Sequence, residues 1–416
     1  MVEYRGIMVD KFFILALRNI FRNKRRTLIT FLAIISGMVG LIVFGGFVEY
    51  SFWGLRESTI NSQLGHIQVY KKGYSKEGVA NPSKYLIDDF KKLEELFCKI
   101  PYVELVTARL SFSGLISTGE KTLTCRGDGV IPEREAQLAS LETIVAGEGL
   151  FEEKKEEGVI GIELQKALGV KIGDYSTILT TTPEGMINAR DIKLIGVSQS
   201  GSKEYDSVFV KLPLQIVQQL FSTDNVEKIV ILLDKTEHTE EVAMRLNLLF
   251  KEKCLDLELK IWSELAPFYN SVVRLYNGIF GVVKAIIAII VLFSIANTMT
   301  MSVFERTREI GTLRAIGTKK TGILRLFLYE GFLIGVFGAT LGIIAGILVA
   351  TTINLCGGIY IPPPPAMTVG YNALILIVPG VLLYSFISTV IISTISAFYP
   401  AFRATRLNIV ESLGHT

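Results

Sequence analysis

The sequence predicts four membrane-spanning helices and one large α+β domain that lies outside the cytoplasm. Three observations carry this reading. Four long apolar stretches stand in a chain of 416 residues. Lysines and arginines gather at particular ends of those stretches, and a long block of mixed polar composition separates the first from the second. Half of the residues are hydrophobic and the mean hydropathy is +0.43. That is too apolar for an ordinary soluble protein and too polar for a chain lying wholly in lipid.

A spanning helix needs about 20 mostly apolar residues, because the hydrocarbon core is about 30 Å thick and each residue rises about 1.5 Å. The stretches Thr27–Tyr50, Gly278–Val303, Ile323–Leu355 and Ala373–Tyr399 meet this requirement. Lys284 is the only lysine or arginine more than a turn inside any of them. Basic residues near the ends set the orientation. Lys11, Arg18, Arg22, Lys24, Arg25 and Arg26 precede the first helix. Arg306, Arg308, Arg314, Lys319, Lys320 and Arg325 lie around the connection from the second to the third, and Arg403 and Arg406 follow the fourth. The segment from Gly357 to Tyr371 has no charged residue. Both termini and the basic connection are therefore expected in the cytoplasm.

The expected organisation runs as follows. Residues 1–26 form a basic, amphipathic cytoplasmic segment. The first helix is 27–50, and the external domain occupies 51–277. The second helix is 278–303, and a cytoplasmic helix falls within 304–322. The third helix is 323–355, a proline-rich external loop is 356–372, the fourth helix is 373–399 and a cytoplasmic tail is 400–416. The first apolar run is too long for a secretory signal and no A-x-A site follows it, so it reads as a retained anchor. Ahead of it, Phe12, Phe13, Leu15, Ala16, Ile20 and Phe21 alternate with Arg18, Arg22 and Arg25. That pattern fits either an amphipathic helix on the interface or a basic flank that sets topology.

In the external block, His66–Tyr70, Tyr175–Thr180, Asp191–Val197, Ser207–Leu212 and Lys228–Leu233 read as strands. Ser83–Ile100, Glu240–Lys253 and a short segment from Pro213 to Phe221 read as helices. The cluster Glu152–Glu157 reads as a solvated loop. Cys98, Cys125, Cys254 and Cys356 show no CxxC spacing, which leaves buried free thiols or a Cys98–Cys125 disulfide.

Enzyme signatures are missing. His66, His238 and His415 have no partner at metal-ligand spacing, so no metal site is expected. No aspartate pair lies in the apolar stretches, and no Gly-x-Ser-x-Gly occurs. Gly311–Thr318 is the nearest approach to a phosphate loop. Its glycines are one residue too far apart, and Thr318 interrupts the Gly-Lys pair. No cofactor is expected on this chain, and ATP with magnesium would sit on another.

After the second helix comes Glu305-Arg306-Thr307-Arg308-Glu309-Ile310-Gly311-Thr312-Leu313-Arg314-Ala315-Ile316-Gly317, and later Glu330-Gly331. This closely resembles the hallmark of the MacB/LolC/LolE/FtsX superfamily of ABC permeases. Ala16–Asn23 and the Gly158–Asp174 pattern resemble further parts of these permeases, so the likeness covers nearly the whole chain. Gly65-His66-Ile67-Gln68-Val69-Tyr70 leans toward the lipoprotein-releasing branch. At the C-terminus the chain reads Asn408-Ile409-Val410-Glu411-Ser412-Leu413, where the family often has a proline before Val-Glu-Ala-Leu.

The resemblance implies a MacB-type, mechanotransmission ABC permease in a bacterial inner membrane, non-catalytic itself. Its implied partners are a dimeric ABC ATPase, a second permease copy or paralogue, a periplasmic adaptor or lipoprotein carrier, and membrane lipids, but no nucleic acid. The stretch Glu305–Gly317 would be the coupling helix on the ATPase. From the residues alone, Ile310, Leu313 and Ile316 form its apolar edge, with Arg306, Arg308 and Arg314 on the rest. The implied cargo is an amphiphile such as a lipoprotein. Rival readings are efflux of antibiotics or toxins through a tripartite assembly and an FtsX-like scaffold that activates a cell-wall hydrolase.

Three further features are singled out. Gly331, Gly335, Gly338, Gly342 and Gly346 allow close helix approach, within one subunit or between subunits. Lys284 either snorkels to the outer interface or lines a cavity that meets an anionic cargo headgroup. Ile361–Met367 reads as a stiff polyproline segment.

Overall fold

The computed structural model describes residues 11–22, 24–78, 82–138, 143–151, 155–182, 185–200, 203–362 and 370–408. Asn23, Glu152 and Glu153 of the charged cluster, Pro363–Met367, Ile409–Leu413 and His415 lie outside the described residues, as do the side chains of Lys11 and Phe21. The chain divides into two compact units: Met1–Phe52, Val273–Tyr360 and Asn372–Thr416 in one, Trp53–Val272 with Ile361–Tyr371 in the other.

Among the described residues, four helices are long and apolar enough to cross a membrane: Lys24–Thr59, Pro267–Glu305, Lys320–Leu355 and Pro379–Thr405. The first runs past Tyr50, and the second begins well before Gly278. Within the helical unit, packing rests on small residues and hydroxyls, because lipid removes the usual hydrophobic drive between helices. A Cβ on Gly331 would come within 2.5 Å of the Ala397 methyl, and one on Gly335 would run into Ser393, both on the fourth helix. Gly338, Gly342 and Gly346 instead seat Ile34, Met38 and Ile42 of the first helix. The glycine stripe therefore packs inside the chain. The first and second helices meet where Gly37 admits Ile287 and where the Thr30 and Thr298 hydroxyls lie 2.7 Å apart.

The fourth helix begins at Pro379, not at Ala373 as the apolar run suggests. Tyr371–Ala373 is a short strand paired with Ile359–Ile361. Two things hold the following residues out of helix. Proline at the first helical position disfavours helical backbone just before it. Asn354 also grips Ile375 from both sides: its Oδ1 accepts from the Ile375 amide at 2.8 Å, and its Nδ2 donates to the carbonyl at 2.9 Å. The Leu376 amide donates to Gly46 at 3.2 Å, an approach that only a glycine permits.

In the second unit, ten strands among the described residues form one mixed sheet. They are β1 (Ile67–Lys71), β2 (Val103–Ser117), β3 (Thr122–Val130), β4 (Thr143–Gly147), β5 (Glu157–Gly161), β6 (Tyr175–Thr181), β7 (Ile187–Gln199), β8 (Phe209–Pro213), β9 (Lys228–Leu233) and β10 (Leu257–Ile261). The order is β10-β1-β9-β2-β3-β8-β5-β7-β4, with β6 pairing β2 and β7. The pairs β3–β8 and β5–β7 are parallel. Helices Phe90–Phe97, Leu214–Phe221 and Thr239–Glu252 cover one face, around a core that includes Ile67, Phe97, Leu110, Val217, Ile231 and Leu246.

The sequence reading missed β2, β3, β4, β5 and β10. Glycines dilute the strand signal in β2 and β3, yet these glycines mark where backbones approach closely. A Cβ on Gly114 would strike the Leu179 carbonyl, and one on Gly127 the Val210 carbonyl. The expected Ser83–Ile100 helix is a 3-10 turn, Pro82–Tyr85, and then Phe90–Phe97. Between them Ile87 leaves helix to exchange amide and carbonyl bonds with Val226 at 2.7 and 3.1 Å. The Cys98–Cys125 disulfide does not form. Cys125 points into the apolar core from β3, whereas Cys98 caps a helix at the surface.

β1 and β10 join this sheet to the two long helices through short connections. The first helix passes through a π turn, Ile60–Leu64, to Gly65 and β1. β10 leads through Trp262–Leu265 to the second. The two strands pair antiparallel from Ile67↔Ile261 to Lys71↔Leu257. Buried His66 anchors the start of β1. Its Nδ1 accepts from the Leu233 amide at 3.1 Å, and its Nε2 lies 3.2 Å from the Thr236 hydroxyl. Burial pushes its pKa down to about 4.

Candidate functional site

The residues singled out from Glu305 to Gly317 fold as a short helix, Thr307–Ala315, directly after the second long helix. Gly317, at φ +101°, ends it. The Gly317 amide donates to Arg314 O at 3.1 Å and the Thr318 amide to Leu313 O at 3.0 Å, a Schellman closure that a left-handed glycine allows.

The structure corrects the expected apolar edge. Ile310 is buried, at 1% exposure, among Val303, Ile323, Phe327, Ala401 and Ala404, and Leu313 packs on the same cluster. Ile316 is 80% exposed. The reason is helical geometry: Ile310 and Leu313 sit three apart on one face, while Ile316 lies past the end of the helix where the chain turns. Arg314 is also not free for a partner. Its Nη1 donates to the Leu407 carbonyl at 2.7 Å and the Thr405 carbonyl at 3.3 Å, satisfying groups that a helix end leaves without intrahelical donors. The outward face consists of Arg308, Thr312, Ala315 and Ile316, with Gly317 and Lys319 beyond.

Beneath this face lies a buried polar knot that the sequence did not reveal. Arg306 and Glu330 have side chains 7% and 4% exposed, with Nη1 and Oε1 2.7 Å apart. Asn19 of helix Lys11–Arg22 donates to the same Glu330 oxygen at 2.6 Å. Arg306 Nε donates to Glu309 at 3.0 Å, and Glu309 also pairs with Arg22 at 2.8 Å. Glu305 pairs with Arg26 at 2.7 Å. Three pieces of the quoted motifs thus converge, although Asn19 and Glu330 are 311 residues apart. Nothing in either stretch alone indicates its partner; the only signal was an acidic residue inside an apolar helix, which requires one.

Helix Lys11–Arg22 is docked on protein by this knot. Ala16 and Ile20 are buried against the third helix, and Phe13 meets Tyr329 edge-on at 5.8 Å. Ile14, Leu15 and Arg18 remain exposed.

Lys284 is half-buried, with Nζ 4.5 Å from the Phe280 ring centre and 4.9 Å from that of Tyr384. Tyr384 lies little more than a turn from the start of the fourth helix. Two ring faces at this distance stabilise a cation by roughly 0.5–2 kcal/mol. Among the described residues, no three His, Cys, Asp or Glu side chains come together as a metal site.

Comparison with known proteins agrees with this architecture. Residues 27–249 match the MacB-like periplasmic core domain, and residues 281–409 match the FtsX-like permease C-terminal domain. An uncharacterised ABC transporter permease of Methanocaldococcus jannaschii is 27% identical over 67% of this chain and 67% of its own length. The lipoprotein-releasing system transmembrane protein LolC of Xylella fastidiosa is 24% identical over 75% of this chain and 76% of its own. The macrolide export ATP-binding/permease protein MacB of Chlorobium luteolum is 25% identical over 82% of this chain but 53% of that protein. With the core domain alone spanning more than half of its residues, the chain belongs to the MacB/LolC/FtsX superfamily of ABC transporter permeases.

Proposed function

We propose that this chain is the permease subunit of a mechanotransmission complex, in which ATP hydrolysis on a separate ATPase drives extraction or export of an amphiphile from the outer side of a bacterial inner membrane. The observation that carries the reading is the Arg306–Glu330–Asn19 knot. It fastens the exposed face Arg308–Ile316 to helix Lys11–Arg22 and to the third helix, so a push on that face moves packed elements instead of being absorbed by a loose loop. In this reading the termini are cytoplasmic, and the ATPase groove takes Ile316 as its apolar anchor with Arg308 beside it. ATP and magnesium belong to that partner. The direct pairing of β1 with β10 would let movement of the first two long helices shear one edge of the sheet. Lys284, held between Phe280 and Tyr384, is positioned to meet an anionic headgroup.

The match to LolC over three quarters of both chains supports an amphiphilic, lipoprotein-like cargo. The match to MacB supports efflux of small toxic molecules as the second reading. The test is co-purification of the cognate ATPase with Ile316→Asp and Arg308→Glu. Both residues are exposed, so both variants should melt like the parent. Burying an apolar anchor of this size contributes roughly 1.5–3 kcal/mol, so ATPase retention should fall at least about tenfold. Full retention by both variants would sink the coupling role of this helix.

A further inference from the structure

The sheet of the second unit carries unlike faces. On β1, β2, β3 and β9 the residues Ile67, Val69, Ala108, Leu110, Cys125 and Ile229 point into the apolar core. Their alternating neighbours Gln68, Tyr70, Arg109, Ser111, Arg126, Asp128 and Lys228 line a cavity of about 240 Å³ on the opposite face. A polar face on the middle strands of a sheet is unusual for a purely structural element, because buried charge is costly unless it is paired.

Several of these charges are paired. Arg109 Nη2 donates to both Glu135 oxygens at 2.9 and 3.0 Å, and Lys211 reaches the same carboxylate at 3.1 Å. Lys228 Nζ donates to the Ser111 hydroxyl at 3.1 Å, with Glu227 4.0 Å away. Glu227 also accepts from the Ser111 amide at 3.0 Å and from the Tyr74 hydroxyl. Burial alone would push the Asp128 carboxyl up; Lys228 and Arg109 more than reverse this and hold it below the ordinary carboxylate range. On the cavity wall itself three cations (Arg109, Arg126 and Lys228) stand with one carboxylate (Asp128). Arg109 and Lys228 are held by the partners above, whereas Arg126 is exposed and forms no ion pair among the described residues.

Leu64, Val208, Phe209 and Leu265 form an apolar part of the wall, and Gly127 and Tyr205 complete it. At about 30 Å³ per water, the volume holds about eight water-sized groups. It falls below the range of roughly 300–1,000 Å³ typical of sites for drug-sized molecules. The cavity suits a small charged head with a few carbons attached, not a macrocycle.

We infer that this cavity is a binding site for a monoanionic phosphate group, with Arg126 and Lys228 as its donors and the apolar wall receiving the first carbons of the group that bears it. Arg126 brings a positive charge without an ion-pair partner among the described residues to that wall. Leu64 and Leu265 belong to the connections that lead to the two long helices, so an occupant touches the residues through which the sheet is joined to them. This assignment rests on the cavity alone and does not depend on which cargo the complex moves or on where an ATPase docks.

The experiment is isothermal titration of the purified full chain in phosphatidylcholine nanodiscs. Three probes are used: dihexanoyl phosphatidylglycerol, dihexanoyl phosphatidylcholine and inorganic phosphate. Saturable binding of the anionic lipid, absent for the zwitterionic one and weakened at least about tenfold by Arg126→Gln, is the expected result. Arg126 is exposed, so this variant should fold; an unchanged melt checks that, and Lys228→Met provides the second arm. Inorganic phosphate binding as tightly as the lipid, with the same loss in Arg126→Gln, supports the site and identifies its ligand as free phosphate. No saturable binding of either anionic probe, or equal binding by parent and both variants, overturns the assignment.

Discussion

Replacing Glu330 by glutamine tests whether the buried knot holds the helical unit together. The substitution keeps shape and removes charge. In the parent, Glu330 Oε1 takes Arg306 Nη1 at 2.7 Å and Asn19 Nδ2 at 2.6 Å, at a side chain only 4% exposed. Breaking a buried pair by removing one partner typically costs about 3–5 kcal/mol, because the other charge stays buried without compensation. Arg306 retains one link, to Glu309 at 3.0 Å, and that carboxylate is 48% exposed. The lower end of the range is therefore expected, about 3 kcal/mol. At roughly 2–4 °C per kcal/mol for a domain of this size, the midpoint should fall by about 6–12 °C in nanodiscs. Arg306→Met with Glu330→Met removes both charges, and its loss should be smaller than the sum of the single losses. A Glu330→Gln melt that overlays the parent's, or additive losses in the double variant, would refute a coupled, load-carrying pair.

Three further outcomes follow from particular contacts. Gly342→Val should lower the melting point by overpacking of about 1–3 kcal/mol, because its Cβ would sit 2.5 Å from that of Met38, while Gly278→Val, with open space around it, should not; equal melts would remove the close-packing argument. His66, neutral when buried, should make stability pH-dependent. The unfolded chain takes up the proton more readily, so the contribution is complete above about pH 6.5 and is lost as pH falls to about 4. The full span is at most about 3 kcal/mol. His66→Asn keeps an acceptor for the Leu233 amide and should flatten that slope; an identical pH profile in parent and variant would exclude His66 as its source. Lys284→Met should impair cargo transfer without lowering the melting point by more than a cation–π contact, about 0.5–2 kcal/mol, and unchanged transfer in both Lys284→Met and Lys284→Glu would leave it an interfacial anchor.

The sequence alone determined that this is a membrane chain with four apolar helices and a mixed domain between the first two. Those features depend on run length and composition, which a bilayer reads locally. It also pointed to the stretch Glu305–Gly317, because charge and motif are concentrated there. Only tertiary structure decided which side of that helix is available. Periodicity shows that Ile310, Leu313 and Ile316 are apolar; it does not show that Val303, Phe327 and Ala401 have already claimed the first two. In the same way, Asn354 and Pro379 together, not hydropathy, set where the fourth helix starts. The knot of Asn19, Arg306 and Glu330 and the cavity of Arg109, Arg126 and Lys228 were invisible for one reason. Each is made from residues far apart in the chain, and the energy of a buried charge depends on which opposite charge folding brings beside it.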